Sequence, residues 1–271
     1  MNEKPVDEFG DPYQQQLEQA QSSWWVESMH ELSRRLLGPL SRDTRVLDIG
    51  CGSGASLRWI SAQVNESFGV DISREGLAIA HQTSPLSQLA VASAAQIPFP
   101  DRSMTVVVST DVLQHLTTEN RQEAFREMFR VLGPGGRALV RTNAKSLRRG
   151  VEEREDWQLL EPSVLRAEAE SCGLRCTRIT HANAVGALVS AARDRLSFVR
   201  RGAKASHHSP PEVEHHGLGI PARRSVLVER LGAAVAATER FVIVRLRRNV
   251  PLGHTLYLVA ERPQEPAGQR T

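Results

Sequence analysis

Along most of the chain, stretches with apolar residues at helical spacing alternate with short apolar runs typical of strands. Apolar residues recur at helical spacing from about residue 12 to residue 37, which predicts a helix. Short apolar runs then alternate with helical stretches, an order typical of a parallel sheet covered by helices on both faces. The predicted strands are 45–50, 67–71, 87–92, 104–110, 137–143, 174–180 and 254–261, and the intervening helices begin near residues 54, 73, 118 and 162.

This alternation is interrupted between residues 181 and 253. The segment predicts two helices, at about 184–200 and 224–248, joined by a linker rich in Gly, Ser, His and Pro at 202–222. The pattern as a whole predicts five regions. They are an N-terminal helical cap (1–40), an α/β core (41–180), a helical insertion (181–253), a last core strand (254–262) and a disordered tail (263–271).

Composition narrows the class of protein. No apolar run approaches the ~20 residues that a membrane span needs, and the polar first 21 residues do not have the pattern of a signal peptide, so we expect a cytoplasmic protein. The three cysteines form no CxxC pair, which favours reduced thiols. A net charge of +3 is too small to indicate nucleic-acid binding, although residues 181–253 carry 12 Arg and Lys against 5 Asp and Glu.

Glycines cluster directly behind the first predicted strand, in VLDIGCGSG at residues 46–54. Such a cluster indicates a sharp turn from strand to helix with a ligand against bare backbone. Gly50, Gly52 and Ala55 fit a dinucleotide fingerprint, in which alanine can replace the third glycine. The longer pattern from Asp48 to Gly54 fits the loop that binds S-adenosylmethionine (SAM). The loop alone leaves both cofactors open.

Further motifs follow in a fixed order, and together the chain resembles the class I SAM-dependent methyltransferases of the small-molecule branch. The motifs are VLDIGCGSG (46–54), GVDIS (69–73), IPFPDRSMTVVVST (97–110), DVLQHL (111–116) and VLGPGG (131–136). The resemblance covers roughly residues 40–180 and the last strand. It implies a Rossmann-like α/β sandwich, with a mostly parallel seven-stranded sheet, an antiparallel last strand and a helical insertion before that strand.

The resemblance also implies SAM as cofactor and a set of residues that hold it. Asp71, which ends the second strand, would accept hydrogen bonds from the ribose hydroxyls, and Ile72 would pack on the adenine. Asp48 would accept from the ammonium group or order the loop. The family often has an acidic residue after the third strand, but Ser93 stands here, which leaves that contact to backbone at Ala94. The predicted cofactor-binding residues are Asp48, Gly50, Cys51, Gly52, Gly54, Asp71, Ile72, Ser93, Ala94, Ala95 and Thr110, with Tyr13 and Trp25 from the N-terminal cap.

His115 is the candidate catalytic base, because it follows the fourth strand at the edge where open α/β sheets bind ligands. Histidine at this motif position is also common in relatives with different chemistry, so a role in lining the pocket stays open. His181 and His254 are weaker candidates for the same site. The histidines between 207 and 216 lie in the predicted linker without a supporting framework, and no metal site is expected.

The expected function is therefore methyl transfer from SAM to a small-molecule acceptor, at oxygen. Transfer to nitrogen or carbon of a lipid, sugar or natural product is the alternative. A non-catalytic SAM-binding domain and an NAD-dependent oxidoreductase are further alternatives. No nucleic-acid partner is expected. The insertion is a candidate acceptor lid, and its basic surface is a candidate contact for an anionic substrate or a membrane.

Overall fold

The structure, a computed structural model, describes residues 24–145, 158–192 and 226–265. Tyr13, the charged segment 146–157, the linker 202–222 and most of the predicted tail lie outside the described residues. The strands are β1 (Arg45–Ile49), β2 (Glu66–Asp71), β3 (Gln88–Val91), β4 (Met104–Thr110), β5 (Leu132–Asn143), β6 (Arg175–Ala182) and β7 (Thr255–Glu261). The helices are α1 (Trp24–Leu37), α2 (Ala55–Ser61), α3 (Arg74–Thr83), α4 (Thr118–Val131), α5 (Pro162–Ser171), α6 (described over 184–192) and α7 (Val226–Arg240).

The described residues form one seven-stranded sheet in the order β3-β2-β1-β4-β5-β7-β6. Strands β1 to β5 pair in parallel, and β7 runs antiparallel to both of its neighbours. This confirms the predicted fold class. Because β1, β2 and β4 end at the same edge, the residues that follow them meet there, as ligand-binding residues do in open α/β sheets.

Helices cover both faces of the sheet. On one face α4 packs on a core that includes Leu47 and Val140. On the other face α1 packs on a core that includes Val46 and Tyr257. The Tyr257 hydroxyl donates to the carbonyl of Met29 in α1 at 3.0 Å, so a buried hydrogen bond holds α1 against the sheet.

Local signals set the starts of two site helices as the sequence predicts. Ser73 is the N-cap of α3, and its Oγ accepts the N–H of Gly76 at 3.0 Å. Thr117 caps α4 in the same way by accepting the N–H of Asn120 at 3.3 Å. Both caps satisfy N–H groups that the first helical turn leaves unpaired. The caps hold the turns after β2 and β4, which carry the predicted site residues.

Three predicted boundaries differ from the structure by more than one residue. Strand β5 begins at Leu132 rather than at the predicted residue 137. The GPGG segment at 133–136 therefore lies inside β5, because Leu132 already pairs with Met104 and regular pairing resumes at Arg137. Strand β6 runs to Ala182, beyond the predicted end at 180, because its last residues pair with β7. The second insertion helix stops being α-helical at Arg240 and continues as a π-helix over Phe241–Arg245.

Candidate functional site

The glycine loop after β1 is held by hydrogen bonds within the protein. The N–H groups of Gly50 and Cys51 both donate to the carbonyl of Val70 in β2, at 2.7 and 3.1 Å. The Gly54 N–H donates to Cys51 O at 2.8 Å and the Gly52 N–H donates to the Asp71 carboxylate at 2.8 Å. All four N–H groups therefore have acceptors within the protein, whereas a pyrophosphate-binding loop directs its N–H groups at the ligand. The loop therefore fits a cofactor without phosphate better than a dinucleotide.

Three loop glycines adopt the left-handed backbone conformation, with φ of +70° at Gly50, +49° at Gly52 and +85° at Gly54. A Cβ at Gly50 would lie 2.1 Å from Val112, and one at Gly54 would lie 3.1 Å from Ala80. A Cβ at Gly52 would meet nothing within 4 Å. The open side of the loop is therefore at Gly52.

Asp71 connects this loop to the start of α3. Its Oδ2 accepts the Gly52 N–H and its Oδ1 accepts the Ser73 N–H, each at 2.8 Å. Each carboxylate oxygen has a further lone pair, so the side chain keeps capacity for the ribose contacts that the sequence predicts. The structure adds a second role, which is to anchor the loop.

Asp48 is a buried carboxylate without a partner. Its side chain points out of β1 on the α1 face, the residue is 1% exposed, and neither oxygen has a hydrogen bond within the described residues. Burial raises the pKa of Asp48 well above its usual value; the charge of Asp71 adds to this and that of Arg141 opposes it. A buried carboxylate of this kind fits a cationic ligand group, and the amino-acid end of SAM carries an ammonium.

The predicted adenine side lies beside the end of β3. Ile72 is 61% exposed directly after Asp71, which leaves an apolar surface for a flat ring to cover. Ser93 is exposed, and its Oγ accepts the N–H of Ala95 at 3.2 Å. Ala94 is buried and Ala95 is half-buried. The Ser93 side chain thus stabilises its own turn.

The end of β4 carries a charged pair that sequence reasoning missed. Asp111, in a left-handed conformation with φ of +62°, forms an ion pair with Arg141 of β5. Thr110 and Arg141 are register partners, so the pair lies at the ligand-binding edge of the sheet. A signal was present in RALVRTN, since Arg141 directly follows the apolar run ALV and lies two residues after Leu139, on the same face of the strand.

His115 lies on a 3-10 helix, Leu113–His115, directly after this pair and is exposed. The neighbouring Gln114 is buried, and its Oε1 accepts the hydroxyl of Thr142 in β5 at 2.9 Å. The carbonyl of Gln114 accepts the N–H of Gln158 at 2.7 Å. The segment that carries His115 is therefore held at the sheet edge by its neighbours.

The other predicted site residues within the described part of the chain have partners elsewhere in the protein. Trp25 packs against the core between α1 and the sheet. His181 pairs with Val250 through its backbone and its Nδ1, and burial lowers its pKa. His254 Nε2 lies 3.3 Å from the Ser190 hydroxyl of α6. Within the described residues no cluster of three or more metal-ligating side chains occurs, and no helix is long and apolar enough to cross a membrane.

Comparison with known proteins identifies the class. Residues 47–140 match the family described as "Methyltransferase domain". This range runs from β1 into β5 and contains the glycine loop, Asp71, Asp111 and His115. The chain thus contains a class I SAM-dependent methyltransferase domain, and SAM is the cofactor of that class. The predicted class and cofactor are confirmed, and the alternative of an NAD-dependent oxidoreductase is set aside.

Curated relatives agree on the class and differ in what they act on. A probable S-adenosylmethionine-dependent methyltransferase of Mycolicibacterium smegmatis is 31% identical over 45% of this chain and 47% of its own length. The 27-O-demethylrifamycin SV methyltransferase of Amycolatopsis mediterranei is 32% identical over 44% of this chain and 47% of its own length. The probable tRNA methyltransferase 9B of Mus musculus is 30% identical over 53% of this chain. The chain spans only 32% of that relative, and about half or less of the others.

Solved structures agree on the fold. The phosphoethanolamine N-methyltransferase 2 of Haemonchus contortus, solved with SAM, has a TM-score of 0.55 at 17% identity, covering 89% of this chain and 53% of that one. The cyclase SpnF has a TM-score of 0.55 at 18% identity, and the match covers 88% of this chain and 80% of the SpnF chain. Because a cyclase and a methyltransferase share the fold, the likeness alone does not identify the reaction.

Proposed function

We propose that this chain transfers a methyl group from SAM to an oxygen of a small-molecule acceptor. The observation that carries the proposal is the loop between β1 and α2. Its internal N–H groups are consumed, its open side lies at Gly52, and an unpaired buried carboxylate lies next to it at Asp48. This arrangement suits a cofactor with a cationic amino-acid end and no phosphate.

Each residue around the loop has a proposed task. Asp71 would hold the ribose while it anchors the loop, and Ile72 would cover one face of the adenine. Asp48 would accept hydrogen bonds from the ammonium. The backbone of Gly50, Cys51 and Gly52 would lie along the methionine part; Gly54, Ala95 and Thr110 would complete the pocket.

The chemistry needs little from the protein beyond alignment. SAM supplies a methyl group on a positively charged sulfur, so the leaving group is already activated. The protein places the acceptor in line and excludes water. His115 would take the proton of the acceptor hydroxyl as the oxygen receives the methyl group, which balances the charge of the step.

The insertion is proposed as the acceptor lid. It leaves the sheet after β6 and returns before β7, whose first residue pairs with Ala182 and Asn143 at the ligand-binding edge. The carboxylate of Glu239 in α7 accepts the N–H groups of Asn183 and Ala184 at the start of α6, both at 2.7 Å. The two insertion helices are thus joined at the edge where an acceptor must meet the cofactor.

A small-molecule acceptor is supported by the rifamycin relative, whose name records a methylation on a small molecule. The tRNA methyltransferase relatives favour nucleic acid as the second candidate acceptor, and the basic composition of the insertion suits an anionic partner of either kind. Transfer to nitrogen or carbon remains the alternative reaction. A cytoplasmic location remains a prediction.

The test is transfer of label from methyl-radiolabelled SAM in two parallel incubations, one with a panel of hydroxylated metabolites and one with total tRNA. We expect the label in an organic-soluble small molecule, as the methyl group of an O-methyl ether or ester. Label retained by RNA would overturn the small-molecule proposal. Label incorporated at nitrogen or carbon would overturn the O-methylation. SAM binding without turnover in either incubation would indicate a non-catalytic SAM-binding domain.

A further inference from the structure

Among the buried polar atoms that lack a hydrogen-bond partner within the described residues, those of two charged side chains lie on the strands of the α1 face of the sheet. One is the carboxylate of Asp48, with both oxygens unpaired. The other is Nη1 of Arg141, whose side chain is 7% exposed. The charge of Arg141 is paired with Asp111, so its unmet group is a single donor, whereas the Asp48 carboxylate has no hydrogen-bond partner at all. Buried polar atoms without a partner are costly, which favours a ligand that satisfies both.

The sheet register places these groups close together. Asp48 pairs with Val108, which pairs with Leu139, and Arg141 lies two residues beyond Leu139. Because side chains two residues apart project from the same face of a strand, Asp48 and Arg141 share the α1 face. The charge of Arg141 lowers the pKa of Asp48, yet the two side chains form no hydrogen bond with each other.

The remaining nitrogens of Arg141 are already used. Its Nε donates to Asp111 Oδ1 at 3.3 Å, and its Nη2 donates to Oδ2 of the same carboxylate. Asp111 therefore holds the guanidinium in place. The Tyr257 hydroxyl also lies near the guanidinium, since Tyr257 is the register partner of Arg141, but it donates to Met29 and Nη1 makes no hydrogen bond of ordinary geometry. His30 of α1 has an unpaired buried Nδ1, and burial together with the charge of Arg141 lowers its pKa to about 4. His30 is thus a neutral imidazole, because a protonated imidazole would be buried and would be repelled by the charge of Arg141.

We propose that Arg141 binds the α-carboxylate of SAM through Nη1, while Asp48 accepts from the ammonium of the same amino-acid group. A lone anion would satisfy Arg141 and leave Asp48 unpaired, and a lone amine or metal cation would do the reverse. An amino-acid zwitterion carries both charges on one carbon and satisfies both groups at once. The inference rests on the proposed SAM site and adds the residue that recognises its carboxylate.

The experiment measures binding of two ligands by isothermal titration. One is S-adenosylhomocysteine, and the other is its decarboxylated analogue, which keeps the amine and lacks the carboxylate. Charge-assisted hydrogen bonds of this kind change affinity by about 10- to 100-fold. We expect the wild-type protein to bind S-adenosylhomocysteine more tightly than the analogue by that factor. Equal affinity would overturn the inference and leave the proposed function standing.

Variants then assign the preference to a residue. Arg141→Gln should lose the preference by weakening S-adenosylhomocysteine only, with the analogue bound as in the wild type. Arg141→Lys keeps the positive charge but loses the paired hydrogen bonds to Asp111, so it should keep part of the preference. This variant also provides the test if Arg141→Gln does not fold. Arg34→Gln is the matched control. Arg34 also acts on the pKa of His30, but it is partly exposed and pairs with Glu31.

Each other outcome has a defined meaning. Equal weakening of both ligands by Arg141→Gln would show that Arg141 supports the fold only and would overturn the inference. Loss of the preference in Arg34→Gln, with Arg141→Gln unchanged, would also overturn it. Failure of the wild-type protein to bind S-adenosylhomocysteine at all would overturn the proposed function, and this inference with it.

Discussion

A single methyl group at Gly52 tests the cofactor site more directly than removal of a side chain. The residue has φ of +49° and its Cβ position is open to 4 Å. Gly52→Ala therefore meets no steric clash in the protein itself. Its cost to the fold is the left-handed backbone strain alone, about 1–2 kcal/mol.

That strain corresponds to a fall in Tm of about 2–8 °C for a chain of this size. The new methyl group projects into the space that the cofactor is proposed to occupy. We expect Gly52→Ala to fold, to lose no more stability than this, and to bind SAM at least about 10-fold more weakly, the effect of losing roughly 1.4 kcal/mol of binding free energy. The larger, β-branched Gly52→Val should abolish SAM binding in a protein that can still be purified.

Gly135 provides a matched control at the opposite end of the sheet. Its φ is +76°, and an added Cβ would meet only the far end of the flexible Gln264 side chain. Gly135→Ala should show a similar fall in Tm, measured by differential scanning calorimetry, with SAM affinity unchanged by isothermal titration. Normal SAM binding by Gly52→Val, or equal losses of affinity in both alanine variants, would refute the placement of the cofactor over the loop.

Four further results are expected. Asp71→Ala should weaken SAM binding about 10- to 100-fold because it removes charge-assisted hydrogen bonds, with the far-ultraviolet circular dichroism unchanged; affinity within about twofold of the wild type would remove Asp71 from the site. His115→Ala should lower kcat about 100-fold, remove the pH dependence that a histidine base gives to the rate, and leave SAM affinity unchanged; a parallel loss of SAM binding would favour the pocket-lining role. Glu168→Ala leaves its arginine partner in α4 buried without a counter-charge and should lower the free energy of unfolding by about 3–5 kcal/mol in urea titrations, whereas Glu123→Ala, which removes an exposed ion pair, should change it by less than about 1 kcal/mol. Replacing residues 181–253 by the equivalent segment of a relative should change acceptor preference at constant SAM affinity; a folded chimera that methylates the original acceptor at the original rate would show that the insertion is scaffold.

The sequence predicts an element's boundaries correctly where neighbouring residues in the chain determine them. It predicts them wrongly where pairing with another strand determines them. Strand β4 was predicted to the residue because an apolar run of β-branched side chains ends at polar residues on both sides. The GPGG segment contains turn residues, yet it lies within β5 because Met104 of β4 pairs with Leu132. Glycine and proline indicate only which local backbone conformations are favoured. Whether the segment forms a strand depends on pairing with a neighbouring strand.

The glycine pattern, the aspartates at the ends of β1 and β2, and the order of motifs were enough to predict the class, the fold and the cofactor. They succeed because each depends on residues close together in the chain, where the spacing of strand, turn and helix dictates what lies at the edge of the sheet. The pairing of Asp111 with Arg141 and the unpaired buried atoms at Asp48 and Arg141 were visible only in the tertiary structure. Those features depend on strands that are distant in sequence and adjacent in space, and on burial, which decides whether a charge needs a partner.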